Sequence, residues 1–240
     1  MPAPERSNRT YRNLARIVRP FMAATTYHRW SGTEHLSQAG GFIVAANHMT
    51  NLDPLTFAHF LYDNGIVPRI LGKASLFTVP VLGWVLRATG QIPVHRGTAN
   101  AVQSLDSAIQ ALADGECVAV FPEGTLTREP DLWPMQGKTG IARLALTTRV
   151  PVVPVAQWGA QNLLGRYARV LKPVPRKLIT VVAGPPVDLS DLYDRPQDTA
   201  VLREATERIM AAITSQLEEI RGEKAPAERF VWRQTTPGTS

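Results

Sequence analysis

From Gly41 onward, short β-rich runs alternate with stretches of helical spacing, and this alternation limits the fold more than any other feature of the chain. Runs over 42–46, 69–72, 91–94, 118–121, 152–155 and 178–182 combine β-branched and other apolar residues at strand length, which predicts strands. Between them apolar residues recur at helical spacing over 55–62, 81–88, 99–113 and 139–147, and a longer helix is expected over 199–221. Strands separated by helices bury their apolar faces in few ways. The expected solution is an α/β sandwich on a largely parallel sheet, with chemistry gathered in the loops beyond the strand ends. At 240 residues the chain suits one such domain. We therefore expect a single-domain αβ sandwich over 32–221, an N-terminal amphipathic helical, membrane-facing segment over 1–31, and a mobile tail over 222–240.

In the N-terminal segment Arg9, Arg12, Arg16 and Arg19 recur at 3-4-3 spacing, opposite Tyr11, Leu14, Val18, Phe21 and Met22. That is a basic amphipathic helix. Pro20 predicts a kink or break, with a second short segment running through His28 and Trp30. Either the Arg face is simply solvated over a core stripe, or the helix lies on anionic lipid. The net charge of +6 favours an anionic partner: nucleic acid, anionic lipid or a phosphorylated substrate. No helix-turn-helix, zinc-finger or RNA-recognition signature is present, so nucleic acid is not expected. The apolar stretches 79–86 and 150–158 fall far short of the roughly 20 residues a spanning helix needs, and no secretory pattern opens the chain. Membrane contact is therefore expected to be peripheral. The stretch 76–84 is expected to be mostly core, a second membrane contact being its alternative.

Cys117 lies mid-strand in an apolar run and reads as an inert core thiol. With no Gly-x-Ser-x-Gly elbow, a serine or cysteine hydrolase is not expected. His28, His35, His59 and His95 lack partners at ligand spacing, so no metal site is expected. The chemistry concentrates after the predicted strand 42–46, in Asn47-His48-Met49-Thr50-Asn51-Leu52-Asp53-Pro54. On one helix His48 and Asp53 would stand about 140° apart, so meeting requires a turn. Pro54 at a first helical position supplies one, although an Asp before it also reads as a plain N-cap. Two further strand ends carry charge: Arg96 after Gly90-Gln91-Ile92-Pro93-Val94-His95, and Glu123 within Phe121-Pro122-Glu123-Gly124-Thr125, with Arg128 following. In a parallel sheet these loops are expected to converge on one edge.

In this order the blocks resemble the glycerolipid acyltransferase superfamily, the bacterial 1-acylglycerol-3-phosphate acyltransferases in particular. His48 and Asp53, preceded by Asn47, match its His-x4-Asp signature; Gly90, Ile92 and Arg96 match the second block. Phe121-Pro122-Glu123-Gly124-Thr125 matches the third and Val150-Pro151-Val152-Val153-Pro154-Val155 the fourth, with Lys73 and Lys138-x-Gly140 also in place. The likeness spans about 32–189. Many members carry Arg after the third block's Thr, where this chain has Leu126; Arg128 is the candidate substitute.

The resemblance implies general-base catalysis without a covalent intermediate. His48 would take the proton of an acceptor hydroxyl as it attacks a thioester carbonyl, and Asp53 would orient the imidazole and stabilise the imidazolium. Arg96, Lys73, Arg128 and Lys138 are phosphate candidates, with Asn47, Gly124 and Thr125 in the substrate site. Glu123 is expected to bond a glycerol hydroxyl or to orient a cation. The implied partners are acyl-CoA or acyl-ACP as donor, lysophosphatidic acid or a related phospholipid as acceptor, and an anionic membrane surface at the cytoplasmic face of the cell membrane. No cofactor is implied. Alternative acceptors are glycerol 3-phosphate, dihydroxyacetone phosphate, another lysophospholipid or a glycolipid hydroxyl; the alternative to an enzyme is an inactive membrane scaffold of the same fold.

Overall fold

The computed structural model describes residues 7–95 and 101–232. The elements run α1 (Arg9–Thr25), β1 (Thr26–Ser31), β2 (Phe42–Ala46), α2 (Asp53–Asp63), β3 (Pro68–Lys73), α3 (Pro80–Ala88), β4 (Ile92–Val94), α4 (Ala101–Ala113), β5 (Cys117–Val120), α5 (Gly140–Thr148), β6 (Val152–Trp158), α6 (Ala160–Leu163), β7 (Lys177–Ala183) and α7 (Thr199–Arg221). Among the described residues one sheet forms, in the order β1-β7-β6-β2-β5-β3-β4. Every pairing is parallel except β6 with β7.

The central strands read as unbroken apolar runs because both faces are covered. All five residues of β2 are buried. Ile43 and Ala45 join Val118, Val120 and Val152 against α4, α5 and α7. Phe42, Val44 and Ala46 join Ala119, Val153 and Val155 against Phe57, Phe60 and Leu61 of α2. Helix α7 buries Val201, Leu202, Ala205, Ile209, Met210, Ile213 and Leu217 at helical spacing, starts on an Asp198 cap and ends at Gly222.

Four expectations change. Helix α1 runs through Pro20 without a break, with both Pro20 and Arg16, whose carbonyl loses its usual donor, at exposed positions where water can replace the missing bond. The segment through His28 and Trp30 is the edge strand β1, paired with β7 from Thr26↔Lys177 to Ser31↔Val182. The stretch 76–84 is not mostly core: Leu76, Val79, Val81, Leu82 and Trp84 are exposed, and Phe77 alone of its large side chains is buried. Its helix is anchored instead by a close approach at Gly83, where a Cβ would sit 2.1 Å from the Phe77 carbonyl oxygen. The tail expected from Gly222 is docked as far as Trp232: Arg229 pairs with Glu207, and Gln136 N donates to Phe230 O at 2.9 Å.

Candidate active site

The loop between β2 and α2 folds back on itself. Asp53 Oδ2 lies 3.0 Å from His48 Nδ1, accepts the Thr50 N–H at 2.8 Å, and also accepts the Met49 N–H. The carboxylate is therefore spent on this loop and not on capping α2, whose N-cap position is Leu52 without a side-chain bond. Asp53 is fully buried, and its Oδ1 has no partner among the described residues. The His48 side chain is 16% exposed, and its ring stacks on Phe121 with centroids 4.2 Å apart. With Nδ1 facing the carboxylate, Nε2 is the nitrogen left for a substrate.

Among the described residues Glu123 bonds no cation, and it has no exposed surface. Its Oε1 accepts the His48 N–H at 2.9 Å and its Oε2 the Met135 N–H at 3.0 Å. The third-block loop adds the Thr127 N–H, which donates to His48 O at 2.7 Å. Main-chain bonds thus clamp His48 from both sides, and Gly124, at φ 71, makes the turn that allows it. Asn47 is buried and locks β2 to β6: its amide donates to Gln157 O at 3.0 Å and accepts the Gln157 N–H at 2.9 Å. The Gln157 amide returns a bond to Asn47 O and accepts from Thr56 Oγ1. Gln157 and Arg166, which donates to the carbonyls of Thr127 and Glu129, were not expected from the sequence. A buried amide in an apolar strand such as β6 is the one signal that marked Gln157.

Lys73 is exposed at the end of β3, Lys138 is exposed with its N–H on Pro122 O, and Thr125 is half-buried. Arg128 is exposed, its guanidinium 5.5 Å from the Tyr167 ring and 5.0 Å from the Trp232 ring. Arg96 lies outside the described residues. No group of His, Cys, Asp and Glu among the described residues could hold a metal ion.

Burial pushes the Glu123 carboxyl up to about 8, against the pull of the Met135 and His48 backbone N–H groups. A folded-state value above the usual carboxylate range means that the folded protein holds this proton where the unfolded chain has lost it. The resulting stability is full below the usual carboxylate range and is lost as pH rises through about 8. Urea unfolding across that window should show stability falling by up to about 1.4 kcal/mol per pH unit, and Glu123→Gln should flatten the slope. Identical slopes in the two proteins would remove Glu123 as the source.

Residues 28–158, more than half the chain, match the acyltransferase family. The 1-acyl-sn-glycerol-3-phosphate acyltransferase of Borreliella burgdorferi is 30% identical over 133 residues, 55% of this chain and 51% of that one. The enzyme of that name from Limnanthes douglasii is 30% identical over 162 residues, 67% of this chain and 54% of its own. The N-acylphosphatidylethanolamine synthase of Arabidopsis thaliana is 30% identical over 174 residues, 67% of this chain and 60% of its own. The chain thus spans about half the length of the curated relatives it matches first. The crystal structure of the 1-acyl-sn-glycerophosphate acyltransferase of Thermotoga maritima shares the fold, with a TM-score of 0.69 at 23% identity over 90% of this chain and 81% of that one. A parallel sheet carrying a His/Asp pair beyond its central strand, and a family match that contains the pair, lead to one conclusion: this chain belongs to the acyltransferase family.

Proposed function

We propose that this acyltransferase moves a fatty acyl group from an acyl-CoA or acyl-ACP thioester to the free hydroxyl of 1-acyl-sn-glycerol 3-phosphate, giving phosphatidic acid. The observation that carries the reading is His48 Nδ1 at 3.0 Å from the buried Asp53 carboxylate. The acceptor oxygen attacks the thioester carbonyl while His48 Nε2 takes its proton; the C–O bond forms, the C–S bond breaks, and the proton passes to the departing thiolate. The acceptor choice draws on the relatives' names, and the Arabidopsis thaliana synthase gives reason to test a second acceptor class. An assay of these acceptors against acyl thioesters of graded length tests it. The highest kcat/KM is expected with 1-acylglycerol 3-phosphate, and a preference for an acceptor lacking phosphate would overturn the assignment.

The role of Arg96 rests on the resemblance alone. If it holds the acceptor phosphate, Arg96→Ala raises the acceptor KM by about 10- to 100-fold and leaves the thioester KM nearly alone. Equal effects on both substrates would remove it from that role.

No helix among the described residues is long and apolar enough to cross a membrane. Peripheral attachment to anionic lipid at the cytoplasmic membrane face accords with Arg9, Arg16, Ile17 and Phe21 exposed on α1 and with the exposed apolar edge of α3. Only part of the expected Arg face is free, since Arg19 pairs with Asp63 at 3.0 Å and Arg12 bonds Ser7 O.

A further inference from the structure

We propose that the loop joining α6 to β7, residues 164–176, is a second docking element, built to enter an anionic bilayer beside the catalytic edge. Every residue from Tyr167 to Arg176 is exposed. Among them Val170 is 74%, Leu171 38% and Val174 85% exposed, so no described residue covers the apolar side chains this loop presents. Interleaved with them are Arg166, Arg169, Lys172, Arg176 and Lys177, and no Asp or Glu occurs between Leu132 and Val187. Apolar side chains that reach the acyl boundary with cations at headgroup level suit anionic lipid. A protein partner fits less well, because Lys172 and Lys177 stand beside the apolar side chains and lysine is depleted at the core of a protein interface. A nucleic acid would need aromatic faces for stacking, and Tyr167 already faces Arg128 and Arg166.

The loop is bonded at both ends, while the side chains of its tip are exposed. At one end Thr50 Oγ1 donates to Leu164 O at 2.7 Å, tying the loop to the turn that carries His48 and Asp53, and Arg166 holds the carbonyls of Thr127 and Glu129. At the other end Arg176 donates to Thr26 O at 2.6 Å and lies 4.0 Å over the Tyr27 ring. Because β7 runs antiparallel to β6, the loop turns at the strand end where His48 stands. Because β1 is parallel to β7, the C-terminal end of α1, with exposed Phe21, arrives at the same edge. A lipid-seated tip would therefore hold the catalytic loop at the membrane surface. This inference goes beyond the acceptor assignment and does not depend on it.

The test uses the full chain with neutral phosphatidylcholine vesicles and with mixed phosphatidylcholine–phosphatidylglycerol vesicles. Arg169→Gln/Lys172→Gln should weaken partitioning onto the anionic vesicles by about 30-fold. Val170→Ser/Leu171→Ser/Val174→Ser should weaken it on both kinds. Arg9→Gln/Arg16→Gln measures the contribution of α1 separately. Near-ultraviolet circular dichroism and turnover of a short-chain soluble acceptor should be unchanged in the loop variants, while turnover of vesicle-embedded acceptor falls. Partitioning of both loop variants equal to that of the intact chain overturns the proposal. Should no form release thiol from a thioester, the acyl-transfer reading fails, and the vesicle measurements still decide the loop.

Discussion

Replacing His48 by alanine is expected to lower acyl transfer by about 10³-fold or more and to leave the fold intact. The imidazole has a buried carboxylate on one nitrogen and leaves the second open to a substrate. The bonds that hold the loop do not need it. His48 N–H on Glu123, Thr127 N–H on His48 O, and the Met49 and Thr50 N–H groups on Asp53 are all main-chain donors or acceptors at position 48 to 50. Acceptor-dependent thiol release measures the loss, and thermal unfolding checks the fold. A folded His48→Ala protein with kcat near that of the parent would end the general-base mechanism.

Asp53→Asn is expected to cost about three orders of magnitude in kcat with little change in acceptor KM. The two backbone N–H groups at Oδ2 select the amide oxygen for that place, so the variant keeps an acceptor facing His48 Nδ1 and with it the ring orientation. What disappears is the negative charge beside the imidazolium. At an effective dielectric near 20 such a pair is worth about 4 kcal/mol, which corresponds to about 10³ in rate. Asp53→Ala removes orientation as well and should be slower still. If Asp53→Asn turned over at the parental rate, the charge would have no part in the chemistry.

Much of the fold was legible because the central strands are buried on both faces, and apolar runs such as Phe42–Ala46 leave no other fate. Strand β1 was not legible. It is an edge strand, Thr26-Tyr27-His28-Arg29-Trp30-Ser31, whose middle is exposed, so its composition carries no core signal. The α1 spacing correctly separated Tyr11 and Met22 from Arg9 and Arg16, yet it could not show that Arg19 meets Asp63, 44 positions away. At the site the His48–Asp53 spacing demanded a turn, and the turn exists. Glu123 shows the limit: a carboxylate in a strand-end loop suggests substrate, and only the packing reveals that it faces inward onto main-chain donors.

The three bonds at Asp53 Oδ2 carry a consequence for how this chain can change. Oδ2 faces the His48 ring and satisfies the buried Met49 and Thr50 N–H groups, so a residue without an oxygen there strands two main-chain donors. Mutant libraries selected for heat tolerance alone should therefore accept asparagine at position 53 and little else. A library kept folded but not working would drift toward a mixture of the two residues, and only a demand for turnover would keep the aspartate in place.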